Sequence, residues 1–366
     1  MNQFTSLDRP RAEQAPSAAR GGIVRVADDK AMLRTAGELT RDLNTANPRI
    51  YWSDMLASAV IGYAALVTAI LAMTPLVALL AALLSILALY RAGSFIHELT
   101  HVKSFALPWF RLGWNALVGV PLLIPSFLYE GVHTLHHAKT RYGTVEDPEY
   151  LPLALMKPWT LPLFLVASLL APVALLFRFA VLTPLSMVIP KLRTIVVERF
   201  SGLQINPEFR RRPPEGELRR NWAWQESAAS LWSIALLTMV FTGVIPWRGV
   251  AIFLAVASGT MLLNQVRTLV AHLWENDGDA MSVTAQYLDS VNVPPPGSLP
   301  ELWAPVGLRY HALHHLLPSL PYHALGEAHR RLAGVFEAGS TFHGANHRGL
   351  GRLVARLARS SWRGGA

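Results

Sequence analysis

The apolar residues of this chain fall into long blocks parted by charged or proline-bearing turns. Residues 55–73 carry no charge, Thr74-Pro75 interrupts, and residues 76–96 follow with Arg91 as their one charge. From Pro75 to His97 a helix climbs roughly 33 Å, about one hydrocarbon thickness. A second pair behaves alike: residues 228–245 are apolar, Pro246-Trp247-Arg248 makes a turn, and residues 250–269 return with only Arg267 near the end. Each pair therefore brings the chain back to the side from which it started.

Two further stretches are apolar but broken. Residues 161–187 contain Pro162, Pro172, Pro184 and Arg178, and the following loop carries Lys191, Arg193, Arg199, Arg210, Arg211, Arg212, Arg219 and Arg220. A single crossing would put that basic loop outside, against the positive-inside rule, so the stretch crosses zero or two times. Its halves are short for a crossing, which favours a broken helical pair lying in or dipping into the interface. Residues 105–128, interrupted by Trp109, Arg111, Trp114, Asn115, Pro121 and Pro125, read as interfacial or re-entrant. The pattern predicts an all-α polytopic membrane protein with two transmembrane helix pairs, interfacial helices and a cytoplasmic cap. A polar tail fills residues 1–45, loose through about Gly22 and helical from about Ala31, without the apolar run of a signal peptide. The membrane domain covers 46–335, and a basic tail covers 336–366.

Composition narrows the chemistry. The chain has 366 residues, 52% of them hydrophobic, and a formal charge of +9. Its basic residues flank apolar spans, as expected of a protein meeting an anionic membrane face rather than nucleic acid. It has no cysteine, which excludes thiolate ligation, an intrinsic iron–sulfur cluster and disulfides.

Nine of the 13 histidines gather in four places: His97 and His101; His133, His136 and His137; His272; and His311, His314 and His315. Neutral imidazole suits iron, copper, nickel and zinc, and one metal rarely takes so many protein ligands. Nine imidazoles imply two metals. On a helix, residues three or four apart share a face, so each box can converge on a point.

The order HxxxH, HxxHH, HxxHH and the paired apolar spans resemble the membrane fatty acid desaturase and hydroxylase superfamily over roughly residues 49–332. The stretches YGTVEDPEYLP and ALHHLLPSLPYHAL are similar to bacterial acyl desaturases. The resemblance implies a bacterial-type inner membrane location, two iron ions held by the three boxes with His272 as an extra ligand, and O2 as co-substrate. It also implies a fatty acyl substrate and, most simply, desaturation. Hydroxylation, or oxidative decarboxylation to a terminal alkene, stands as the alternative on the same scaffold. Glu146, Asp147 and Glu149 are candidate acceptors for the imidazoles' second N–H. The relatives' water-holding asparagine is replaced by Thr268, with Asn264 one turn further back.

Two readings of other classes remain open. His97-Glu98-Leu99-Thr100-His101 is a literal HExxH, the zinc protease motif, with Asn276-Asp277-Gly278 as a faint third-ligand site. A metal or haem carrier would instead place histidines at several depths along a crossing path. Electrons for an oxidative reaction need an external ferredoxin, rubredoxin or similar donor, docking near Arg210 to Arg220 or on Arg348, Arg352, Arg356, Arg359 and Arg363. The acyl chain is expected in a tunnel between the helix pairs, walled by residues 57–67 and 250–261 and including Ala64, Ala257 and Gly259. Trp109, Trp114, Trp247 and Trp303 read as interface anchors, with Trp114 or Trp274 as alternative tunnel walls. His323, His329, His343 and His347 read as surface residues, with His323 nearest to the site.

Overall fold

A computed structural model describes residues 26–364 apart from 104 and 298; the expected loose tail through Gly22 lies outside the described residues. Those residues form helices and turns, with isolated β-bridges but no strand among them. Helix α1 (Lys30–Leu39) begins where the Asp29 carboxylate accepts the Met32 N–H at 2.9 Å, satisfying one orphan donor of the first turn. Its buried Met32 and Ala36 pack with Leu325, Ala328 and Leu332.

Helices α2 (Pro48–Leu71) and α3 (Pro75–His101) each open on a proline, where the missing N–H has no partner to lose. They pack closely: a Cβ at Gly62 would lie 2.5 Å from Leu89 Cδ2, and Ser85 Oγ donates to Gly62 O at 2.9 Å. Helix α4 (Phe110–Trp114) runs into a π turn at Asn115–Gly119. There Leu117 O accepts from Tyr63 OH at 2.8 Å, three turns of α2 beyond Tyr51, a depth of roughly 18 Å. The chain then comes back through Pro121 and Pro125, fastened by Asn115 Oδ1 accepting Ser126 N–H at 2.8 Å. Residues 105–128 thus enter and leave on one side. The short α5 (Val132–His136) follows Gly131, whose φ of 81° supplies the sharp turn into it.

The stretch expected as a broken pair is one helix. Helix α6 (Thr160–Phe177), a π turn at Arg178–Leu182 and α7 (Thr183–Val188) are continuous over Thr160–Val188. The widened turn absorbs Pro184, whose ring would otherwise press on the preceding turn. Helix α8 (Pro190–Phe200) then covers only about 16 Å. After it Leu203 N donates to Leu128 O at 2.8 Å and Ile205 N to Pro148 O at 2.9 Å. The excursion starts and ends on the same side, so the chain makes no net crossing here.

Helix α9 (Gly216–Phe241) carries buried Gln225 and Glu226 in its first half, and the apolar run beyond them is roughly 22 Å, short for a bilayer core. Helix α10 (Trp247–Leu269) follows it after the Pro246 turn as the second member of the expected pair, though its closest packing is elsewhere. It packs chiefly on α6 and α3: Ser258 Oγ donates to Leu169 O at 2.7 Å, and a Cβ at Gly259 would lie 2.5 Å from Ile86 Cδ1. By length and composition, α2, α3, the Thr160–Val188 helix and α10 are the four described helices fit to cross a membrane. The far turns meet, since Arg248 Nη2 donates to Ala72 O at 2.7 Å.

Helices α11 (Val283–Asp289), α12 (Pro300–Trp303), α13 (His311–Leu316), α14 (Leu325–Val335), α15 (Thr341–Gly344) and α16 (Gly349–Gly364) build the cap. Helix α16 buries Leu353, Leu357 and Ser361 and leaves Val354 and Trp362 exposed.

Candidate metal centre

The fold brings all nine singled-out histidines together at one level. They form two groups, within each of which the potential ligand atoms lie within 4.8 Å of one another: His97, His101, His133, His137 and His314; and His136, His272, His311 and His315. Each HxxHH box is thus divided rather than converging on one point. On a helix the i and i+4 residues share a face and the i+3 residue leans aside. The His133/His137 pair faces the first group and His136 the second, while His311/His315 faces the second and His314 the first.

The donor geometry fits metal ions. Across the first group His133 and His137 Nε2 are 3.0 Å apart, His101 and His314 3.1 Å, and His137 and His314 3.3 Å. In the second, His272 and His311 Nε2 are 3.1 Å apart and His311 and His315 3.2 Å. An octahedron of metal–nitrogen bonds near 2.1 Å has edges of about 3.0 Å. Both ring nitrogens of His97, and Nδ1 of His311 and His314, are buried without a partner among the described residues. Burial holds His133, His137, His272, His311, His314 and His315 well below the ordinary imidazole range. Neutral lone pairs aimed at one another in a dry site are satisfied by a cation.

Carboxylates and phenols fix the outer ring nitrogens. His133 Nδ1 meets Glu149 Oε2 at 2.5 Å and Tyr129 OH at 2.8 Å. His136 Nδ1 meets the Asp147 oxygens at 2.9 and 3.0 Å. Burial pushes His136 down, but Asp147, Glu149 and Asp289 together outweigh it and the net direction is up. His272 Nδ1 meets Tyr142 OH at 2.8 Å, and that hydroxyl donates to Asp289 Oδ2 at 2.8 Å. An N–H held at Nδ1 turns the Nε2 lone pair inward. Burial also pushes Glu149 up to about 7 and Asp289 up to about 6. Glu146, the third expected acceptor, is exposed and pairs with Arg141 at 3.3 Å. Tyr129 and Asp289 had no motif in the sequence to mark them, and Tyr142 opened the YGTVEDPEYLP stretch without a role assigned to it.

The protease reading fails on geometry. His97 and His101 are joined by three more histidines, and Glu98 is held by Tyr51 OH and by Tyr322 N at 3.1 Å. Asn276 holds the carbonyls of Gly143 and Asp279 at 2.8 and 2.9 Å, and Asp277 belongs to neither histidine group. The remaining histidines lie elsewhere. His323 Nε2 accepts Asn47 N–H at 3.1 Å, and His329, expected at the surface, is buried and bonded to Asn346.

A cavity of about 340 Å³ opens onto the histidines, between α3, α6, α10 and residues 202–205. His97, His133, His136, His272 and His311 line it, as does buried Trp274. The wall expected from α2 residues 57–67 is not there, Ala64 included, and of the wall expected from residues 250–261 of α10, Thr260 and Met261 line the cavity while Ala257 and Gly259 do not. Trp114 is buried with Nε1 on Ala92 O at 2.8 Å, while Trp109 and Trp247 stand exposed. Of the expected docking arginines, Arg211 faces inward onto the carbonyls of Phe127, Ser201 and Glu130.

Residues 72–346 match the family described as fatty acid desaturase. A ceramide hydroxylase of Caulobacter vibrioides (strain NA1000 / CB15N) is 50% identical over 337 residues, covering 92% of this chain and 96% of its own. With the histidine order, the apolar helices and the match over most of its length in agreement, this chain belongs to the fatty acid desaturase family.

Proposed function

We propose that this protein is a membrane hydroxylase of ceramide-type lipids, with two iron ions held by His97, His101, His133, His137 and His314 on one side and by His136, His272, His311 and His315 on the other. The observation that carries the substrate class and reaction is the 50% identity across nearly the whole of a ceramide hydroxylase. The family resemblance alone makes desaturation the simplest expectation; this relative supports hydroxylation over it.

Bound iron supplies the oxidation of a C–H bond by oxygen. The substrate C–H becomes C–OH, and the second oxygen atom leaves as water with two electrons and two protons from an external donor. The chain's own residues position and insulate. Asp147, Glu149 and the Tyr142–Asp289 pair hold the protons at Nδ1 of His136, His133 and His272 and so fix their orientation. The cavity sets which carbon lies against the histidines, a placement on which rate depends at the scale of an angstrom. Exposed arginines of the cap, including Arg352 and Arg359 on α16, offer a basic face to an acidic ferredoxin or rubredoxin. On this reading the cap is cytoplasmic.

Expression in a ceramide-producing bacterial host, with mass spectrometry of total lipids, tests the proposal. The expected product is ceramide heavier by one oxygen atom, absent with a His315→Ala variant. Loss of two hydrogens would restore desaturation, and products confined to free fatty acids would overturn the substrate class.

A further inference from the structure

Arg267 lies on the last turn of α10, five residues before His272, and lines the cavity. It is buried, at 8% exposure, and its Nε has no partner among the described residues. Other buried arginines here are fully engaged. Arg178 bonds Glu226, Thr183, Ser201 and the Phe200 carbonyl, and Arg309 bonds Glu301 and the carbonyls of Val293 and Gly297. Tyr90 and Glu149 lie near it in the same lining, yet a buried guanidinium whose Nε lacks a partner is under-satisfied unless something else answers it. As a lone cation within an apolar span, it points to a functional role.

Arg267 has company of the same kind. Thr260 Oγ1, two turns earlier on the same helix, and Gln265 Nε2, two residues earlier, are buried without partners among the described residues and line the same cavity. From the opposite wall Gln204 Oε1 is likewise bare, while its Nε2 is fixed on the carbonyls of Asn206 and Phe209 at 3.4 and 3.1 Å. This set offers donors, an acceptor and a hydroxyl together. It is mismatched to hydrocarbon, and its neutral acceptor is mismatched to a phosphate. It matches a neutral polar head that carries both N–H and C=O.

We propose that Arg267, with Thr260, Gln265 and Gln204, is the site that binds the amide and hydroxyl groups of the lipid, so that the carbon hydroxylated lies within a few bonds of the amide. This rests on the ceramide-type substrate argued above. A cavity of about 340 Å³ is at the low end of small-ligand pockets, room for the head and its first methylenes rather than for whole chains. The exposed members of its lining are Ala167 on α6 and Asn264 on α10. They mark an opening between two membrane helices through which the alkyl chains trail into the bilayer. Arg267 is a positioning and specificity residue in this scheme, not a metal ligand.

The test compares iron-loaded wild type with Arg267→Met, Arg267→Lys and Thr260→Val in nanodiscs, using a short-chain ceramide. KM, kcat, hydroxyl position by tandem mass spectrometry, iron per chain and melting temperature are read together. The expected result for Arg267→Met is a KM raised at least about tenfold, as for loss of a hydrogen bond to a charged group, with the hydroxyl displaced from its wild-type carbon. Iron content is unchanged and the melting temperature is equal to or above wild type, because a buried charge with an unsatisfied N–H is gone. Arg267→Lys and Thr260→Val fall between. A lowered melting temperature with lost iron and unchanged KM assigns Arg267 a structural role and overturns the proposal, as does a wild-type product hydroxylated in mid-chain. If wild type yields no hydroxylated ceramide, the function reading fails separately. Binding of radiolabelled ceramide then decides the head-group site: weaker binding by Arg267→Met upholds it, and equal binding overturns it.

Discussion

The carboxylate of Glu98 accepts the backbone N–H of Tyr322 at 3.1 Å, joining the first histidine box to the turn that follows the third. Tyr51 OH binds the same oxygen. Tyr322 OH then donates to Asp54, which is paired with Arg91 at 2.6 Å. Glu98 is a clasp between α2, α3 and the cap, which is why an HExxH motif here has no catalytic glutamate.

Glu98→Ala leaves two buried donors unpaired, and we expect a stability loss of roughly 2–4 kcal/mol. Iron stays near two per chain in the folded fraction. Thermal unfolding in detergent and elemental analysis check this; full stability with one iron lost would make Glu98 a ligand instead.

The division of the boxes between two groups predicts unequal sensitivity. His272→Ala leaves three imidazoles in its group, whereas His137→Ala leaves four in the other. The iron of the four-histidine group should be stripped first by a graded chelator series, and the His272→Ala protein should purify with about one iron per chain. Both variants lose hydroxylation. Equal retention of both irons in His272→Ala would place that residue outside the metal sphere.

Asp147 orients His136 through two contacts near 3 Å. Asp147→Asn keeps the size but weakens the acceptor, and metal affinity should fall about 10–100-fold. Competition with a fluorescent chelator measures it. An unchanged affinity would reduce Asp147 to a loop residue holding Gly143 N–H.

The cysteine-free sequence permits single-cysteine labelling. Met73→Cys and Val244→Cys, both highly exposed beside the far turns, should react with a membrane-impermeant maleimide on intact spheroplasts. Lys139→Cys in the cap should react only after permeabilisation. Val188→Cys, which α8 leads back to the cap side, should also resist labelling from outside, and its reaction there would mean that Thr160–Val188 crosses fully.

Two substitutions separate cavity from helix packing. Ala171→Phe projects into the cavity lining and should cut turnover with iron and melting temperature retained. Gly259→Trp meets Ile86 instead and should lower the melting temperature by overpacking, a penalty of about 1–3 kcal/mol or more. If Ala171→Phe keeps wild-type turnover, the lipid lies elsewhere.

The sequence by itself determined the all-helical membrane class, the hairpin of α2 and α3, and the nine histidines, because apolar block length and i, i+4 spacing are local properties read without neighbours. Proline in a long apolar run misled, because a π turn at Arg178–Leu182 can absorb what a regular helix cannot. Only the tertiary structure decided that α10 packs on α6 rather than α9, since small residues such as Ser258 and Gly259 choose a partner by its shape. It alone divided the boxes between two groups and recruited Tyr142 and Asp289, because hydrogen bonds over a hundred residues of separation leave no periodic trace. Arg267 stood in the sequence as one charge near the end of a span, and only the cavity around it, with its Nε left bare among the described residues, gave that charge a meaning.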